Sequence, residues 1–265
     1  PIRFNYLDTM GGSNLSLQVH PHTGYIREHF GERMPQDETY YVVENKPGAK
    51  VFLGLRSGVT REAFTEVIRR AEQEGVPFDV SQYAKAWPSE KGALYVIPSG
   101  TLHCSGANNL VLEISATTYW YTFKLYDYLR PDLSGKPRPI NAQYGLDVLD
   151  MSRTEDWVGR ALIPEPMVVR EEEGGTELHL GTNPQMFFSV NRLDVRTEMQ
   201  DDTDSRFHVL ALVDGKQARL RSVQDPSFTV DVQYLETFVA PASFGAYTVE
   251  AVGEPCQVIK AFVKR

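Results

Sequence analysis

One stretch constrains the fold of this chain more than any other: Gly92-Ala-Leu-Tyr-Val-Ile-Pro-Ser-Gly-Thr-Leu-His103. Its apolar residues 93–97 predict a buried strand, and the Pro98-Ser-Gly100 turn that follows presents one histidine. Earlier in the chain, Leu15-Ser-Leu-Gln-Val-His-Pro21 predicts another apolar strand that delivers a second imidazole. Two such strands predict a metal ion held inside a β-barrel.

Four residues form the candidate ligand set. Gln18 and His20 are two positions apart on a predicted strand, so their side chains share one face. Glu38 begins the next strand, and His103 follows the turn. Two imidazoles, a carboxylate and a carboxamide oxygen suit Zn²⁺ well, and Fe²⁺, Mn²⁺ or Co²⁺ nearly as well.

The spacing around the turn makes this set more specific than its residue types. A lone histidine on a strand is usually a packed or a surface residue. Here Gly92-x5-Pro98-x-Gly100-x2-His103 resembles the second motif of the cupin superfamily. The first motif is represented by His20-Pro-His22, with Glu38 later than the usual spacing. His22 is therefore the alternative to Gln18 for one ligand position, although Pro21 can end the strand before it.

Strand signals fill most of the chain. In the first half, the predicted strands cover residues 2–7, 14–20, 38–44, 51–55, 94–97, 110–115 and 117–126. In the second half, they cover residues 187–195, 207–213, 218–222, 229–232, 236–240, 246–251 and 258–263. Turn residues at Asn45-Lys-Pro-Gly48 and Asp214-Gly215 predict hairpins between the strands that flank them.

A helical pattern interrupts these strands over residues 59–88. Thr60 can cap a helix whose apolar residues are spaced by three and four, and Gly75 can end it. A shorter helix is expected from Ser81 to Trp87. Residues 22–37 are mixed and polar, which predicts a long loop.

The predicted architecture is mainly β: two cupin-like (jelly-roll) β-barrels with a short helical insertion in the first. The metal-binding and catalytic domain is expected over residues 1–160, with its insertion at about 59–88. A second β domain is expected over residues 161–265. It contains only His179 and His208 as histidines, without ligand spacing, so no metal site is predicted there.

Composition limits the classes of function. The 265 residues are 42% hydrophobic and 23% charged, which is typical of a globular protein. A net charge of −8 without a basic run argues against a nucleic-acid partner, and no apolar run is long enough to span a membrane. Two unpatterned cysteines, with no recognisable signal peptide, favour a cytoplasmic location. The start at Pro1, inside an apolar run, indicates a piece of a longer polypeptide.

Several segments together resemble one family. They are Leu15–Pro21, Asp37–Tyr41, Val96–His103, Leu112–Ile114, Leu125–Arg130 and Phe238–Ala242. In these segments the chain is similar to the type I mannose-6-phosphate isomerases of the cupin superfamily. The resemblance implies an isomerase with zinc held by Gln18, His20, Glu38 and His103. The chain departs from bacterial members at two cations, since it has Gln36-Asp37 in place of a lysine before the ligand glutamate, and Lys124 in place of an arginine.

The implied reaction moves a proton between C1 and C2 of a sugar through an enediol. It therefore requires a base and groups that stabilise a developing oxyanion. Glu113 is the candidate base, with a surface position or a salt bridge to Arg130 as the alternative. Arg130 and Lys124 are candidates for stabilising the charge of the enediolate or of a phosphate. Lys136 and Arg138 lie in a loop within reach of a phosphate, where a solvated position is the alternative.

The expected partner is a small sugar or sugar phosphate. Tyr6, Tyr119 and Tyr121 are candidates for stacking on it, with core packing as the alternative. Two functions stay open: a metal-dependent aldose–ketose isomerase, for mannose 6-phosphate to fructose 6-phosphate or a related sugar, and a non-catalytic sugar-binding or sensing cupin. A metal-dependent oxidase or dioxygenase is a weaker third, because a fold does not define a function.

Overall fold

A computed structural model describes residues 2–116 and 119–264 of the chain. Within them the chain divides into two units, the first from Arg3 to Ile163 and the second from Pro164 onward. Strands dominate both units, which confirms the predicted mainly β fold. None of the helices in these described ranges is both long and apolar enough to cross a bilayer.

The first unit combines β-strands with four α-helices among its described residues. In chain order its elements are β1 (Arg3–Asp8), β2 (Leu17–Val19), α1 (Thr23–Phe30), β3 (Asp37–Asn45), β4 (Lys50–Leu55), α2 (Arg61–Glu74), β5 (Ala84–Pro88), β6 (Leu94–Ile97), β7 (His103–Ser105), β8 (Asn109–Ala116), β9 (Phe123–Tyr126), α3 (Ala142–Val148) and α4 (Glu155–Ala161).

The strands of this unit form two sheets, in the orders β1-β8-β3-β6 and β5-β4-β7-β2-β9. Along the chain, successive strands alternate between the two sheets. The one exception is the step from β4 to β5, which lie in the same sheet. This exchange between two packed sheets is typical of jelly-roll folds. All pairings are antiparallel.

Period-two alternation separates the two faces of the second of these sheets. Leu17 and Val19 of β2 belong to a buried cluster that also contains Phe64 and Ile68 of α2 and Leu146 of α3. That face of the sheet is therefore covered by helices. The alternate residues of the same strands point the other way, into the space between the sheets.

The described part of the second unit consists of strands, their connecting loops and one short 3-10 helix at Ala242–Phe244. The strands are β10 (Met167–Glu172), β11 (Gly175–Gly181), β12 (Phe188–Val195), β13 (Glu198–Asp202), β14 (His208–Asp214), β15 (Gln217–Ser222), β16 (Thr229–Gln233), β17 (Thr237–Ala240), β18 (Ala246–Ala251) and β19 (Cys256–Val263). They pair in the orders β10-β11-β12-β19-β14-β17 and β13-β18-β15-β16. Apolar side chains from both sheets fill the core between them.

Two local predictions in the first unit are wrong. Residues 22–37 are not all loop, because α1 occupies Thr23–Phe30, capped by the His22 side chain and ended by Gly31 at φ 70°. The helix expected from Ser81 to Trp87 is instead one 3-10 turn followed by β5, which pairs with β4. α2 does lie in the expected insertion.

The strand expected over residues 117–126 is shorter, since β9 begins at Phe123 and Thr117 and Thr118 lie outside the described residues.

Both predicted hairpins are also wrong, although the turns exist. The turn at 45–48 joins β3 to β4, and the turn at 214–215 joins β14 to β15. In each case the two strands lie in different sheets. Turn-forming residues reverse the chain direction, but the pairing partner of each strand comes from a distant part of the chain.

Candidate metal centre and active site

Three of the four predicted ligands meet at one buried point of the first unit. The Nε2 atom of His20 lies 3.2 Å from Glu38 Oε2, and the Nε2 atom of His103 lies 2.9 Å from Glu38 Oε1. All three side chains are buried. Within the described part of the chain, they form the one group of three or more His, Cys, Asp or Glu side chains close enough to share a metal ion.

The strands bring the ligands together from both sheets. Gln18 pairs directly with His103 across β2 and β7, and both alternate with residues that face the helices. Glu38 arrives from the opposite sheet, where it pairs with Ile97 of β6 and Ser115 of β8. The site therefore depends on the facing of two sheets, not on any single strand.

Backbone carbonyls fix the orientation of both imidazoles. His20 Nδ1 lies 3.0 Å from the carbonyl of Tyr121, and His103 Nδ1 lies 2.8 Å from that of Thr101. A carbonyl oxygen only accepts, so each Nδ1 carries the proton, and each neutral ring presents the lone pair of Nε2 to Glu38.

Lone pairs that face one another repel unless a cation or a proton lies between them. Apart from the His103 nitrogen, Glu38 Oε1 has no hydrogen-bond donor among the described residues. Burial works to raise the pKa of Glu38, but the two imidazoles hold it well below its usual range. Burial works to lower the pKa of His20, yet Glu38 raises it overall. This donor set fits a divalent cation of the zinc type.

The fourth ligand position has two carboxamide candidates. Gln18 Nε2 lies 3.2 Å from His103 Nε2, and a half-turn of the amide would present its oxygen there. Gln36 lies 3.5 Å from His20 Nε2 and 3.4 Å from Glu38 Oε2. His22, the alternative in the sequence, instead caps α1 through its Nδ1 atom, away from this group.

The turn before His103 is held by charged side chains. Asp37 Oδ1 accepts a hydrogen bond of 2.7 Å from the backbone of Ser99. Arg153 donates to the carbonyls of Pro98 and Ser99 at 2.8 and 2.7 Å. Gly100, at φ 90°, donates its amide to the His20 carbonyl at 2.7 Å, which ties the two imidazole-bearing segments together.

A cavity of about 460 Å³ opens beside this centre. Its lining includes polar and charged residues from both sheets and from the loops that follow β8 and β9. These residues are Asn5, Ser16, Gln18, Gln36, Tyr40, Glu113, Trp120, Thr122, Lys124, Asp127, Arg130 and Arg138.

Glu113 is a buried acid in this cavity. It pairs across the sheet with Asn5 of β1 and Tyr40 of β3, and only 7% of its surface is exposed. Burial, together with the negative charge of Glu38, raises the pKa of Glu113 to about 8. The alternative prediction, that Glu113 is exposed on the surface of a strand, is wrong.

The predicted cations Lys124 and Arg130 meet at Asp127. Arg130 donates to Asp127 Oδ1, and Lys124 Nζ lies 3.8 Å from Asp127 Oδ2. Arg138 joins them, with its Nε atom 2.7 Å from Asp127 Oδ2. The salt bridge to Arg130 that was the alternative role for Glu113 is made by Asp127 instead.

The aromatic candidates do not line the cavity. Tyr6 neighbours cavity-lining Asn5 on β1 and so faces the other way, and Tyr119 is exposed. Tyr121 contributes its backbone carbonyl to His20. Trp120 and Tyr40 are aromatic residues that do line the cavity, and the Arg3 guanidinium lies 4.7 Å from the centre of the Trp120 ring.

Sequence reasoning missed Trp120, Tyr40, Asp127 and Arg3 as cavity-side residues. Of these four residues, only Asp127 could have been predicted from the sequence, because an acid three positions before Arg130 can form a salt bridge with it.

In the second unit, buried polar groups partner one another. Lys260 Nζ lies 2.7 Å from Glu177 and 2.6 Å from Asp201. His208 Nδ1 lies 2.8 Å from the Tyr247 hydroxyl, and burial lowers its pKa to about 4. An ammonium group thus lies between the two carboxylates.

Comparisons with known proteins give a consistent result. No family model matches the chain. It is 26% identical to the mannose-6-phosphate isomerase ManA of Bacillus subtilis over 203 residues. This alignment covers 77% of this chain and 59% of ManA. It is 28% identical to the mannose-6-phosphate isomerase of Streptococcus mutans over 139 residues. This alignment covers 52% of this chain and 41% of that protein. The chain is thus similar in sequence to proteins named mannose-6-phosphate isomerase.

Solved structures of such isomerases share the fold. The mannose 6-phosphate isomerase of Bacillus subtilis superposes with a TM-score of 0.78 at 21% identity, over 98% of this chain and 74% of that one. A variant of phosphomannose isomerase from Salmonella typhimurium gives a TM-score of 0.75 at 12% identity, over 100% of this chain and 79% of that one. The predicted cupin-like fold is confirmed. The relatives are enzymes, and the chain spans about three fifths of ManA.

Proposed function

We propose that this protein is a metal-dependent aldose–ketose isomerase that interconverts mannose 6-phosphate and fructose 6-phosphate. The observation that carries the proposal is a buried His–His–Glu group beside a cavity that contains a second, buried carboxyl group. The names of the relatives support the choice of substrate.

The proposed metal ion is zinc, held by His20, Glu38, His103 and the carboxamide of Gln18. The two oriented Nε2 atoms and the carboxylate suit zinc and leave room for a substrate oxygen. When bound, such an ion supplies a Lewis acid that polarises oxygens of the open-chain sugar.

Glu113 is the proposed base that moves the proton between C1 and C2. A base works best when its pKa lies near the working pH, and burial brings the pKa of Glu113 to about 8. Its carboxylate takes the proton from one carbon and returns it to the neighbouring carbon. The burial of Glu113 keeps water away, so the proton is retained between the two steps.

Lys124 and Arg130 supply positive charge at the cavity wall. Lys124 is the strand neighbour of Gln18 across β2 and β9, so its side chain shares the face of the metal ligands. Both residues offset negative charge on the enediolate or on the phosphate of the substrate.

The first test combines metal analysis with an activity assay. We expect the purified protein to contain about one zinc ion per chain, and to convert mannose 6-phosphate to fructose 6-phosphate in a reaction that a chelator stops and zinc restores. His103→Ala should lose both metal and activity. His22→Ser, which keeps a helix-capping oxygen outside the centre, is the matched control and should lose neither.

Two results would overturn parts of this proposal. Full metal content in His103→Ala would contradict the ligand assignment. Metal binding with no turnover of phosphorylated or free sugars would contradict the isomerase function and favour the non-catalytic sugar-binding cupin.

A further inference from the structure

We infer that the carboxamide nitrogen of Gln36 and the phenol hydroxyl of Tyr40 are two uncharged hydrogen-bond donors for O1 and O2 of the enediolate. This inference rests on the proposed function and adds two residues to its reaction. Both residues line the cavity beside the His–His–Glu group. Gln36 and Tyr40 together are called the neutral donor pair below.

The Tyr40 hydroxyl is a buried polar group without a partner. The side chain is fully buried, and its hydroxyl makes no hydrogen bond of normal geometry to any residue that the structure describes. A buried hydroxyl in this state costs free energy, so such groups are rare in folded proteins. Because Tyr40 also lines the cavity, its hydroxyl is available to a ligand there.

The sheet places Tyr40 beside the candidate base. Tyr40 of β3 is the cross-strand neighbour of Glu113 on β8, and the Cβ atoms of directly opposed residues lie about 5 Å apart. The Tyr40 ring also meets the His103 ring edge-on, with centroids 5.8 Å apart. The phenol therefore lies on the His103 side of Glu38, next to the group that moves the proton.

Gln36 lies on the His20 side of Glu38, and the orientation of its amide is fixed. The Tyr121 amide donates to Gln36 Oε1 at 2.9 Å, so the oxygen faces the backbone and the NH2 group faces the centre. An amide turned by a half-turn would set its NH2 group against the Tyr121 N–H, in a side chain that is only 2% exposed. Gln36 therefore presents donors to the centre, and Gln18 remains the better fourth ligand.

The present contacts of the Gln36 nitrogen are long. Nε2 lies 3.5 Å from His20 Nε2 and 3.4 Å from Glu38 Oε2, beyond the usual range of roughly 2.7–3.2 Å. These two acceptor atoms are also proposed zinc ligands, so their lone pairs are engaged when zinc is bound. The N–H groups of Gln36 then need another acceptor, which a substrate oxygen provides.

The reaction places negative charge on two oxygens in turn. When Glu113 takes the proton from C2, the electron pair of that bond forms the C1–C2 double bond and the carbonyl pair moves onto O1. The O2 proton then passes to O1, the pair left on O2 forms the new carbonyl, and C1 takes the first proton back. Each oxygen needs a donor at one stage, and donors positioned in advance stabilise such charge most.

Uncharged donors suit this position better than cations. A cation beside Glu38 would form an ion pair with it and compete with the metal ion for the carboxylate. A phenol loses its proton only near pH 10 and a carboxamide does not titrate, so the neutral donor pair keeps its hydrogens throughout the neutral range.

The first experiment compares Tyr40→Phe with Tyr95→Phe in the metal-loaded full chain. Tyr95 is the buried cross-strand neighbour of Tyr40 on β6, and its hydroxyl donates to the Pro88 carbonyl instead. We expect kcat for mannose 6-phosphate to fall by about 10²- to 10³-fold in Tyr40→Phe, with KM and zinc affinity within about threefold. Tyr95→Phe should keep its kcat. An unchanged kcat in Tyr40→Phe, or a fall explained by lost zinc, would overturn the inference.

Gln36→Met tests the second donor, because it removes the N–H groups and keeps the length of the side chain. We expect a similar fall in kcat, again with zinc affinity within about threefold. A large loss of zinc affinity would identify Gln36 as a metal ligand and contradict its role as a donor.

A binding measurement tests the neutral donor pair without turnover. The hydroxamate of D-arabinonic acid 5-phosphate has two adjacent oxygens in one plane, as the enediolate has. In calorimetry with the metal-loaded protein, Tyr40→Phe and Gln36→Met should each bind it at least about tenfold more weakly. Equal affinities would contradict the pair. If the unsubstituted protein turns over no sugar while both variants lose affinity, the isomerase function fails and the donor pair stands.

Thermal unfolding of the chelated protein gives a result that does not depend on zinc or substrate. Since the Tyr40 hydroxyl has no partner, Tyr40→Phe should melt at the same temperature as the unsubstituted protein or a few degrees higher. Tyr95→Phe should melt about 2–6 °C lower, because it loses a buried hydrogen bond. An equal decrease in both variants would show that the Tyr40 hydroxyl has a structural partner, and would overturn the inference.

Discussion

At the scale of single residues, the chemistry of this site depends on two different uses of burial. Glu38 is buried between two imidazoles, which keep its carboxylate charged. Glu113 is buried with no salt-bridge partner among the residues that the structure describes, and its pKa rises to about 8. In Glu38 the two imidazoles outweigh desolvation, so the carboxylate suits a cation. In Glu113 desolvation outweighs nearby positive charge, so the carboxyl group suits proton exchange.

Replacement of the proposed base should affect the chemical step more than binding. For Glu113→Gln we expect kcat to fall by about 10²- to 10⁴-fold with KM nearly unchanged, since the amide fills the same space but cannot accept the proton. Steady-state kinetics and zinc analysis of the same preparation measure this. A variant that keeps most of its kcat would show that another group is the base.

Glu113 should also make stability fall as pH rises. The pKa is about 8 in the folded protein and about 4.3 in an unfolded chain. Between these values the folded state retains a proton that the unfolded state has lost, so its stabilising effect is complete below the lower value and disappears as pH rises through the upper one.

We expect the free energy of unfolding of the chelated protein to decrease between pH 5 and pH 8, by up to roughly 4 kcal/mol from this group. Urea unfolding of the unsubstituted protein and of Glu113→Gln, at both pH values, tests this contribution. A decrease of equal size in the two proteins would assign the pH dependence to other groups.

At the scale of elements, the turn before His103 positions one of the proposed metal ligands. Its carbonyls are held by Arg153, and its amide by Asp37. Neither residue is a proposed ligand, and both come from segments remote from the turn in sequence.

Arg153→Met should weaken zinc binding by about 10- to 100-fold, as loss of outer support for a metal ligand typically does. Competition with a coloured zinc chelator measures the affinity, and circular dichroism establishes that the variant is folded. Arg69→Met, on the exposed face of α2, serves as the control. Unchanged affinity in folded Arg153→Met would mean that the turn keeps its shape without the guanidinium.

The contact between β4 and α4 depends on a glycine. Gly54 has φ 77°, and a Cβ atom there would lie 2.5 Å from Val158 Cγ2 and 3.0 Å from the Arg153 carbonyl. Gly48 has a similar φ of 80°, but a Cβ there would meet nothing within 4 Å. The two positions therefore separate backbone strain from crowding.

We expect Gly48→Ala to lower the free energy of unfolding by about 1–2 kcal/mol through strain, and Gly54→Ala by a further 1–3 kcal/mol through overpacking. Chemical denaturation of both variants gives the two values. Equal destabilisation would indicate that α4 moves aside without cost.

At the scale of the whole molecule, the proposed metal joins the two sheets of the first unit. Its proposed ligands come from β2, from His20 directly after β2 and from β7 on one side, and from β3 of the other sheet. A ligand that binds only the folded state stabilises it, by about 4 kcal/mol at a thousandfold excess over its dissociation constant.

Removal of zinc should therefore lower the melting temperature, and His103→Ala should melt as the chelated protein does. Hydrogen exchange should show the loss of protection in β2, β3 and β7, and not in the strands of the second unit. A chelator effect of equal size in His103→Ala would place the stabilising ion elsewhere.

Local sequence was sufficient to predict which side chains meet at the candidate metal site. The alternation of Leu17, Gln18 and Val19 predicts which side chain leaves the apolar face, and the Pro-Ser-Gly turn predicts where His103 begins its strand. Both rest on the period of a strand and on backbone sterics, which act over a few residues. The mainly β character, α2 and most strands of the second half were predictable for the same reason.

The pairing of strands that are distant in sequence could not be predicted from such local patterns. The turns at 45–48 and 214–215 have hairpin residues, yet the strands they join pair in different sheets. A helix was predicted from Ser81 to Trp87, yet Ala84–Pro88 pairs as a strand with β4. The meeting of Glu38 with the imidazoles, the burial of Glu113 and the gathering of cations at Asp127 all depend on which distant strands face each other, and that choice is made by the burial of two whole sheets rather than by any short segment.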